Sequence, residues 1–367
     1  MSIINVMWSG GAPYVSVHKV HQQVLSQLDP GSPVETWLLQ GQGIPDSSIF
    51  GQCREWRLST AALKGRRLSR LLTPWLRIRF LRALQNSNAQ VVLLDGIGAA
   101  RALLSCIGKL PELRVVVLFH GQTRLRPADL ALFARLPASQ LQLVAVSKTL
   151  SASLQADLQL PVMTLRTALE PESFLTVAAT REQARQILEI PVDAGPVFGA
   201  VGRLVPDKGF ACLLEAFSRL SVECPSARLW IIGEGLERTA LEARVARLGL
   251  GGKVFLPGHI DDAARFFRAF DWLVVPSRAE GLGLIVQEAV LAGVPVLLSD
   301  LDVFREQLGD AACYVPVDDA SAWAQAMLKV VEQSGLQVAR EQDAALDPRG
   351  SWQRFRQGVR ALLSIGE

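Results

Sequence analysis

The segment Val197-Phe198-Gly199-Ala200-Val201-Gly202-Arg203-Leu204-Val205-Pro206-Asp207-Lys208-Gly209 decides how the chain is read. Its first five residues are apolar or glycine and suit a strand buried on both faces. A loop bounded by Gly202 and Gly209 interrupts them, and a helical stretch follows. Strand, glycine loop and helix form the repeating unit of a parallel sheet with crossover helices. The same alternation runs outward in both directions. Before it, candidate strands lie at Ile3–Trp8, Val34–Leu39, Val91–Leu94, Val115–Phe119, Leu143–Val146 and Val162–Leu165. From it onward they lie at Val197–Val201, Arg228–Ile232, Lys253–Leu256, Trp272–Val275, Val294–Leu298 and Cys313–Val315. Two doubly wound, Rossmann-like α/β domains are expected, residues 1–167 and 168–348, joined within Arg166–Phe174. In such sheets ligands sit beyond the carboxyl ends of the strands, so functional residues belong just after them.

Composition agrees with two well-filled cores. The chain has 367 residues, 49% of them hydrophobic and 20% charged, which excludes a disordered or fibrous protein. No apolar run approaches the roughly 18 residues of a membrane-spanning helix. The opening Met1–Ser9 has no basic leader, so no signal peptide is expected. Five scattered cysteines (Cys53, Cys106, Cys212, Cys224 and Cys313) and no Cys-x-x-Cys argue for a reducing, cytoplasmic setting without a zinc site. The net charge of +3 hides an asymmetry: residues 1–167 hold 18 Lys/Arg against 8 Asp/Glu, and residues 168–367 hold 20 against 27. The two halves are expected to meet different partners.

Four constellations carry chemistry. Ser9-Gly10-Gly11-Ala12-Pro13 follows the first strand, where paired glycines let backbone amides approach a phosphate or sugar oxygen. His120, in Phe119-His120-Gly121, ends a central strand and reaches the crevice with a group that donates or accepts near neutral pH. Arg203 and Lys208, five apart on the quoted loop, suit one polyanion, although the glycine spacing is not that of a Walker loop. Pro276-Ser277-Arg278-Ala279-Glu280-Gly281-Leu282-Gly283-Leu284-Ile285-Val286-Gln287-Glu288 carries two carboxylates, Glu280 in the loop and Glu288 on the helix. Without metal ligands beside them they suit vicinal hydroxyls, which a sugar and a ribose both supply.

The order Gly10-Gly11, His120, Gly202-Arg203 with Lys208-Gly209, Gly233-Glu234-Gly235, then Glu280 and Glu288 with seven residues between, resembles glycosyltransferase family 4. The likeness is densest from Val197 to Asp318. It implies the GT-B fold, two Rossmann-like domains facing across a cleft, and retaining, metal-independent hexosyl transfer from a nucleoside diphosphate sugar. It further implies that Arg203 and Lys208 bind the diphosphate and stabilise it as a leaving group. Glu288 would hold the ribose, and Glu280 the donor sugar, with amides at Gly283 and Leu284. His120 would touch that sugar from the opposite domain, Gly10 and Gly11 would flank the phosphates, and the segment Gly258-His259 would receive the base. Residues 349–367 would form a helix crossing back to the first domain. No cofactor or metal is implied. Arg166-Thr167-Ala168-Leu169 stands where the family has Asn-Gly, Leu282 replaces a common aromatic, and Ser299-Asp300-Leu301-Asp302 replaces Gly-Gly. The Asp-x-Asp is read as an ordinary acidic triplet.

Between Trp56 and Leu94 there are eight Lys/Arg and no Asp or Glu. Leu68, Leu71, Leu72, Trp75, Leu76 and Phe80 recur there at helical spacing, and Thr73-Pro74 marks a helix start, so two amphipathic helices are expected. Lys64, Arg66, Arg67, Arg70 and Arg77 suit either an anionic membrane face or a phosphorylated acceptor. Nucleic acid is not expected. The resulting expectation is transfer from a UDP- or GDP-sugar to a bacterial envelope glycan of the lipopolysaccharide-core type, with peripheral contact at the inner membrane. The rival readings are a nucleotide-sugar epimerase or hydrolase of the same fold, and a non-catalytic sugar-binding member.

Overall fold

The computed structural model describes residues 1–9, 15–41, 51–64, 73–191 and 193–363. Contacts divide the chain into one unit of Met1–Thr167 with Arg354–Glu367, and a second of Ala168–Gln353. The last helix, Pro348–Leu363, therefore begins in the second unit and ends in the first. In the first unit Gly358 lies against Leu165 and Arg114 donates to the Leu362 carbonyl at 3.0 Å.

The first unit holds seven parallel strands: β1 (Ile3–Ser9), β2 (Val34–Gln40), β3 (Gln52–Glu55), β4 (Val91–Asp95), β5 (Arg114–Phe119), β6 (Leu141–Ala145) and β7 (Val162–Thr164), ordered β3-β2-β1-β4-β5-β6-β7. Six were expected. The extra one, β3, is an edge strand whose polar Gln52-Cys53-Arg54-Glu55 carries no apolar run to betray it. Pairing with β2 and the stacking of Arg54 over Trp37 and Trp56 hold it in place.

The second unit holds six parallel strands, β8 (Val197–Val201), β9 (Arg228–Ile232), β10 (Val254–Gly258), β11 (Trp272–Val275), β12 (Val296–Ser299) and β13 (Cys313–Val315), ordered β10-β9-β8-β11-β12-β13. Successive residues bury into opposite cores: Leu273 and Val275 join one cluster, Val274 the other. A strand covered by helices on both faces needs apolar residues at every position, which is why these runs show no alternation.

Both sheets reverse their strand order once, between β1 and β4 in the first and between β8 and β11 in the second. The loops leaving these paired strands diverge to opposite faces and open a crevice at the carboxyl edge, the preferred ligand position in such folds.

Candidate functional site

In the second unit, the loops after β8, β9, β10 and β11 are tied together by main-chain hydrogen bonds. Gly202 N–H donates to Ile232 at 3.0 Å, Leu204 N–H to Glu234 at 2.9 Å, and Gly233 N–H to Gly258 at 2.8 Å. Across the reversal point, Arg278 N–H donates to the Asp207 carbonyl at 2.8 Å. Gly209 makes that crossing possible. It sits at φ +70°, and a Cβ there would lie 2.0 Å from the Pro276 oxygen. Only glycine combines that conformation with that approach.

This raft presents Lys208 to Glu280. The ammonium is hydrogen-bonded to Glu280 Oε1, and the same oxygen accepts from the Ser277 hydroxyl at 2.8 Å. Both side chains are partly exposed, 23% for Lys208 and 12% for Glu280, so the pair remains open to a ligand. Arg203, on the same loop as Lys208, is exposed. Its guanidinium has no hydrogen-bonded or ionic partner among the described residues.

The helix Leu284–Leu291 starts from Gly283, at φ +75°, where a Cβ would meet Phe304 at 2.6 Å. Glu288, half-buried, lies one turn further along the helix. A buried amide chain pins this loop: Leu169 N–H donates to Gln287 Oε1 at 3.2 Å, Gln287 donates to Gln307 at 3.3 Å, and Gln307 donates to the Leu282 carbonyl at 2.5 Å. Gln287 and Gln307 were not singled out from the sequence. Gln287 has a sequence signal, an amide among the apolar residues of Leu284–Leu291; Gln307, in the mixed helix Asp302–Leu308, has none.

Gly258 closes β10, and His259 is exposed with Nε2 3.0 Å from Asp261. Of the Asp-x-Asp triplet, Asp300 is held by Arg305 at 2.6 Å, and Asp302 opens the helix Asp302–Leu308. Each residue therefore has its own structural duty.

In the first unit, His120 follows β5 and meets a cluster that includes two residues the sequence reading did not select, His21 and Asp95. Their Nε2 atoms place His21 and His120 3.1 Å apart, and Asp95 Oδ1 is 3.7 Å from His120 Nε2, too far for a hydrogen bond. His21 Nδ1 lies 2.6 Å from Asn5 Oδ1, and Asn5 Nδ2 donates to Thr36 at 3.3 Å. These contacts assign the protons. Asn5 offers His21 an oxygen, so His21 carries its proton on Nδ1 and accepts at Nε2. His120 must then carry its proton on Nε2, which leaves its Nδ1 as a lone pair. That atom is buried without a partner among the described residues.

Burial sets the charges here. It pushes His120 down to about 3, with His18 adding repulsion, and holds His21 well below its ordinary value. It raises Asp95 to about 6 against the opposing hydrogen bond from Trp8 N–H, 3.1 Å long. The two imidazoles are thus neutral donors and acceptors beside a carboxyl that titrates at about 6. Donor atoms of His21, Asp95 and His120 also lie within 4.8 Å of one another, the one group among the described residues with the donor set for a divalent cation. The sequence signal for the cluster was present: Asn5 is a polar residue inside the buried run of β1, and His18 and His21 stand three apart on the helix Val15–Leu25.

Gly10, Gly11 and Pro13 lie outside the described residues, as do Arg66, Arg67, Arg70 and the side chain of Lys64. The helices Thr60–Lys64 and Thr73–Gln85 flank that segment. Thr73–Gln85 buries Leu76, Phe80 and Leu84, and leaves Trp75, Arg77, Ile78, Arg79 and Arg82 exposed.

Residues 195–333 match the family described as Glycosyl transferases group 1. All the second-unit residues named above as site candidates fall inside that stretch. A lipopolysaccharide core biosynthesis glycosyltransferase, LpsE of Rhizobium meliloti strain 1021, is 35% identical over 156 residues, 42% of this chain and 44% of LpsE. The chain thus spans less than half the length of that curated relative. A glycosyltransferase from Rickettsia africae superposes with a TM-score of 0.78 at 14% identity, covering 100% of this chain and 99% of its own. HepE of Anabaena, solved with UDP and glucose, gives 0.77 at 17% identity over 100% of both chains. The fold is that of the GT-B glycosyltransferases.

Proposed function

We propose that the chain is a retaining glycosyltransferase that moves a hexose from a nucleoside diphosphate sugar, UDP- or GDP-linked, to an envelope glycan acceptor of the lipopolysaccharide-core type. The observation that carries this reading is the meeting of Lys208 and Glu280 across the β8–β11 reversal point. A cation and a carboxylate held by opposite sides of one crevice fit the two parts of a sugar diphosphate. Lys208, with Arg203 from the same loop, meets the diphosphate, and Glu280 accepts from sugar hydroxyls. Glu288 serves the ribose, and Gly258-His259 the base. Support comes from the group 1 match over residues 195–333 and from the kinship with LpsE.

In the reaction, the bond between the anomeric carbon and the diphosphate oxygen breaks as negative charge gathers on the leaving group. Arg203 and Lys208 are preorganised to stabilise that charge, the task a metal ion performs in other transferases. The acceptor oxygen bonds to the anomeric carbon on the same face, and its proton passes to the departing diphosphate. His120, neutral and fixed in one tautomer, offers hydrogen bonds to a sugar hydroxyl without adding charge.

No helix among the described residues is long and apolar enough to cross a membrane. Contact with an anionic inner membrane is part of the proposal, supported by Trp75 and Ile78, 56% and 48% exposed, set among arginines on one helix. The test is turnover and mass balance with labelled nucleotide sugars. Lys208→Ala and Glu288→Ala are expected to lose transfer by about 100-fold or more with the fold intact. Full activity in either variant refutes the site. Isomerised or hydrolysed donor, formed at full rate without acceptor, establishes the epimerase or hydrolase reading instead.

A further inference from the structure

A second cavity in the first unit is not used by this account. It measures about 440 Å³, within the range of small-molecule sites. Trp8, at the end of β1, lines one side, and Arg101, on the helix Gly96–Ile107 after β4, lines another. The cavity therefore lies beside the β1–β4 reversal point, where this kind of sheet takes its ligands. Leu76 and Phe80 complete an apolar wall with Trp8. The indole is seated by the absence of a side chain at Gly98, where a Cβ would come 2.7 Å from Trp8.

The rest of the lining is three arginines, Arg77, Arg101 and Arg126, together with Ala62, Leu63 and Ala102. Arg101 is locked to Asp129 by two hydrogen bonds of 2.7 Å, so its charge is balanced and its position fixed. Arg77 and Arg126 are exposed, and neither guanidinium is hydrogen-bonded among the described residues; Arg126 lies near enough to Asp129 to help hold its carboxyl low. Two exposed guanidinium groups lining a cavity with an aromatic and aliphatic wall fit a ligand that is anionic at one end and apolar at the other. Arginine is the residue suited to forked recognition of phosphate or carboxylate.

We propose that this cavity binds the anionic group, a phosphate or carboxylate, of an amphiphilic sugar acceptor. The word acceptor rests on the glycosyltransferase reading; the chemistry of the cavity does not. A single small ligand is favoured over a bilayer because Trp8, Arg77, Arg101 and Arg126 come from separate segments and line one cavity rather than one helix face.

The test is calorimetric titration of the full chain with octyl glucoside, octyl glucoside 6-phosphate and octyl glucuronide, each below its micelle concentration. The expected result is binding of either charged glycoside about ten-fold or more tightly than the neutral one. Combined Arg77→Gln and Arg126→Gln should erase that preference. Ala102→Phe, which fills the cavity without changing charge, should abolish binding of all three. Equal binding of charged and neutral glycosides, a preference that survives the arginine changes, or binding only to phosphatidylglycerol vesicles overturns the proposal. Circular dichroism on each variant shows that it is folded. UDP and GDP titrated into the same samples report the donor reading separately, so either idea can fail alone.

Discussion

The carboxyl edges of the two sheets handle charge in opposite ways. At the first, His21 is buried and His120 and Asp95 keep 13% and 12% of their side-chain surface; burial still outweighs their mutual attraction, lowering both imidazoles and raising Asp95 to about 6. At the second, Lys208 and Glu280 keep 23% and 12% of their side-chain surface and remain an ion pair. The same fold thus builds a cluster of neutral imidazoles beside one carboxyl, and a directly paired cation and carboxylate. The difference is contact: the Lys208 ammonium is hydrogen-bonded to Glu280, whereas Asp95 stands 3.7 Å from His120, too far to repay the several kcal/mol of taking a second charge out of water. Neutral groups suit hydroxyls, and an open ion pair suits a diphosphate that brings its own charge.

The comparison breaks most visibly at Gly209. Gly209→Ala places a methyl group into the Pro276 carbonyl and forces a residue with a side chain to φ +70°. It should cost about 2–4 kcal/mol in denaturant unfolding of the second unit and separate Lys208 from Glu280. An unchanged unfolding midpoint would show that the loops do not depend on this approach.

In the first unit, Asn5→Leu removes the acceptor that orders the His21–His120 pair. About 1–3 kcal/mol of stability should be lost, and nitrogen-15 spectra should show His120 no longer held with its proton on Nε2. Asn5→Asp keeps an acceptor oxygen and should preserve the tautomer. A single His120 tautomer in the Leu variant would mean that something else sets it.

A smaller effect concerns pH. The folded value of His120 is depressed from 6.5 to about 3, so its contribution is complete above pH 6.5 and is lost as the unfolded chain takes up a proton below that. Between pH 7 and 5.5 this amounts to about 1 kcal/mol, and His21 acts in the same sense. Asp95, raised to about 6, acts in the opposite sense, since its folded form gains the proton first as pH falls. Asp95→Asn should therefore steepen the acid loss measured by thermal melting. A flatter profile would mean that the histidines are not buried as described.

Much of this organisation was legible in the residues. All twelve candidate strand segments overlap the observed strands within one or two residues, because strands covered on both faces read as unbroken apolar runs; the one at Val294 starts two residues early because Val294-Pro295 precedes β12. The polar edge strand β3 had no such signal. Loop positions such as Lys208 and Glu280 were legible because glycines frame them. That they touch was not, since the contact depends on Gly209 passing Pro276 at close range. The His21–His120 contact spans 99 residues and depends on how the helix Val15–Leu25 docks on β1. No local pattern records that docking.

The most direct measurement is titration of the full chain with UDP, GDP and ADP, repeated on Arg203→Ala and Lys208→Ala. One of the nucleotides should bind to the wild-type chain, and each substitution should weaken it by about ten-fold or more, as loss of a charge-assisted contact to phosphate requires. Affinity that is the same in all three proteins, or no nucleotide binding at all, would contradict the assignment of these two cations to a diphosphate.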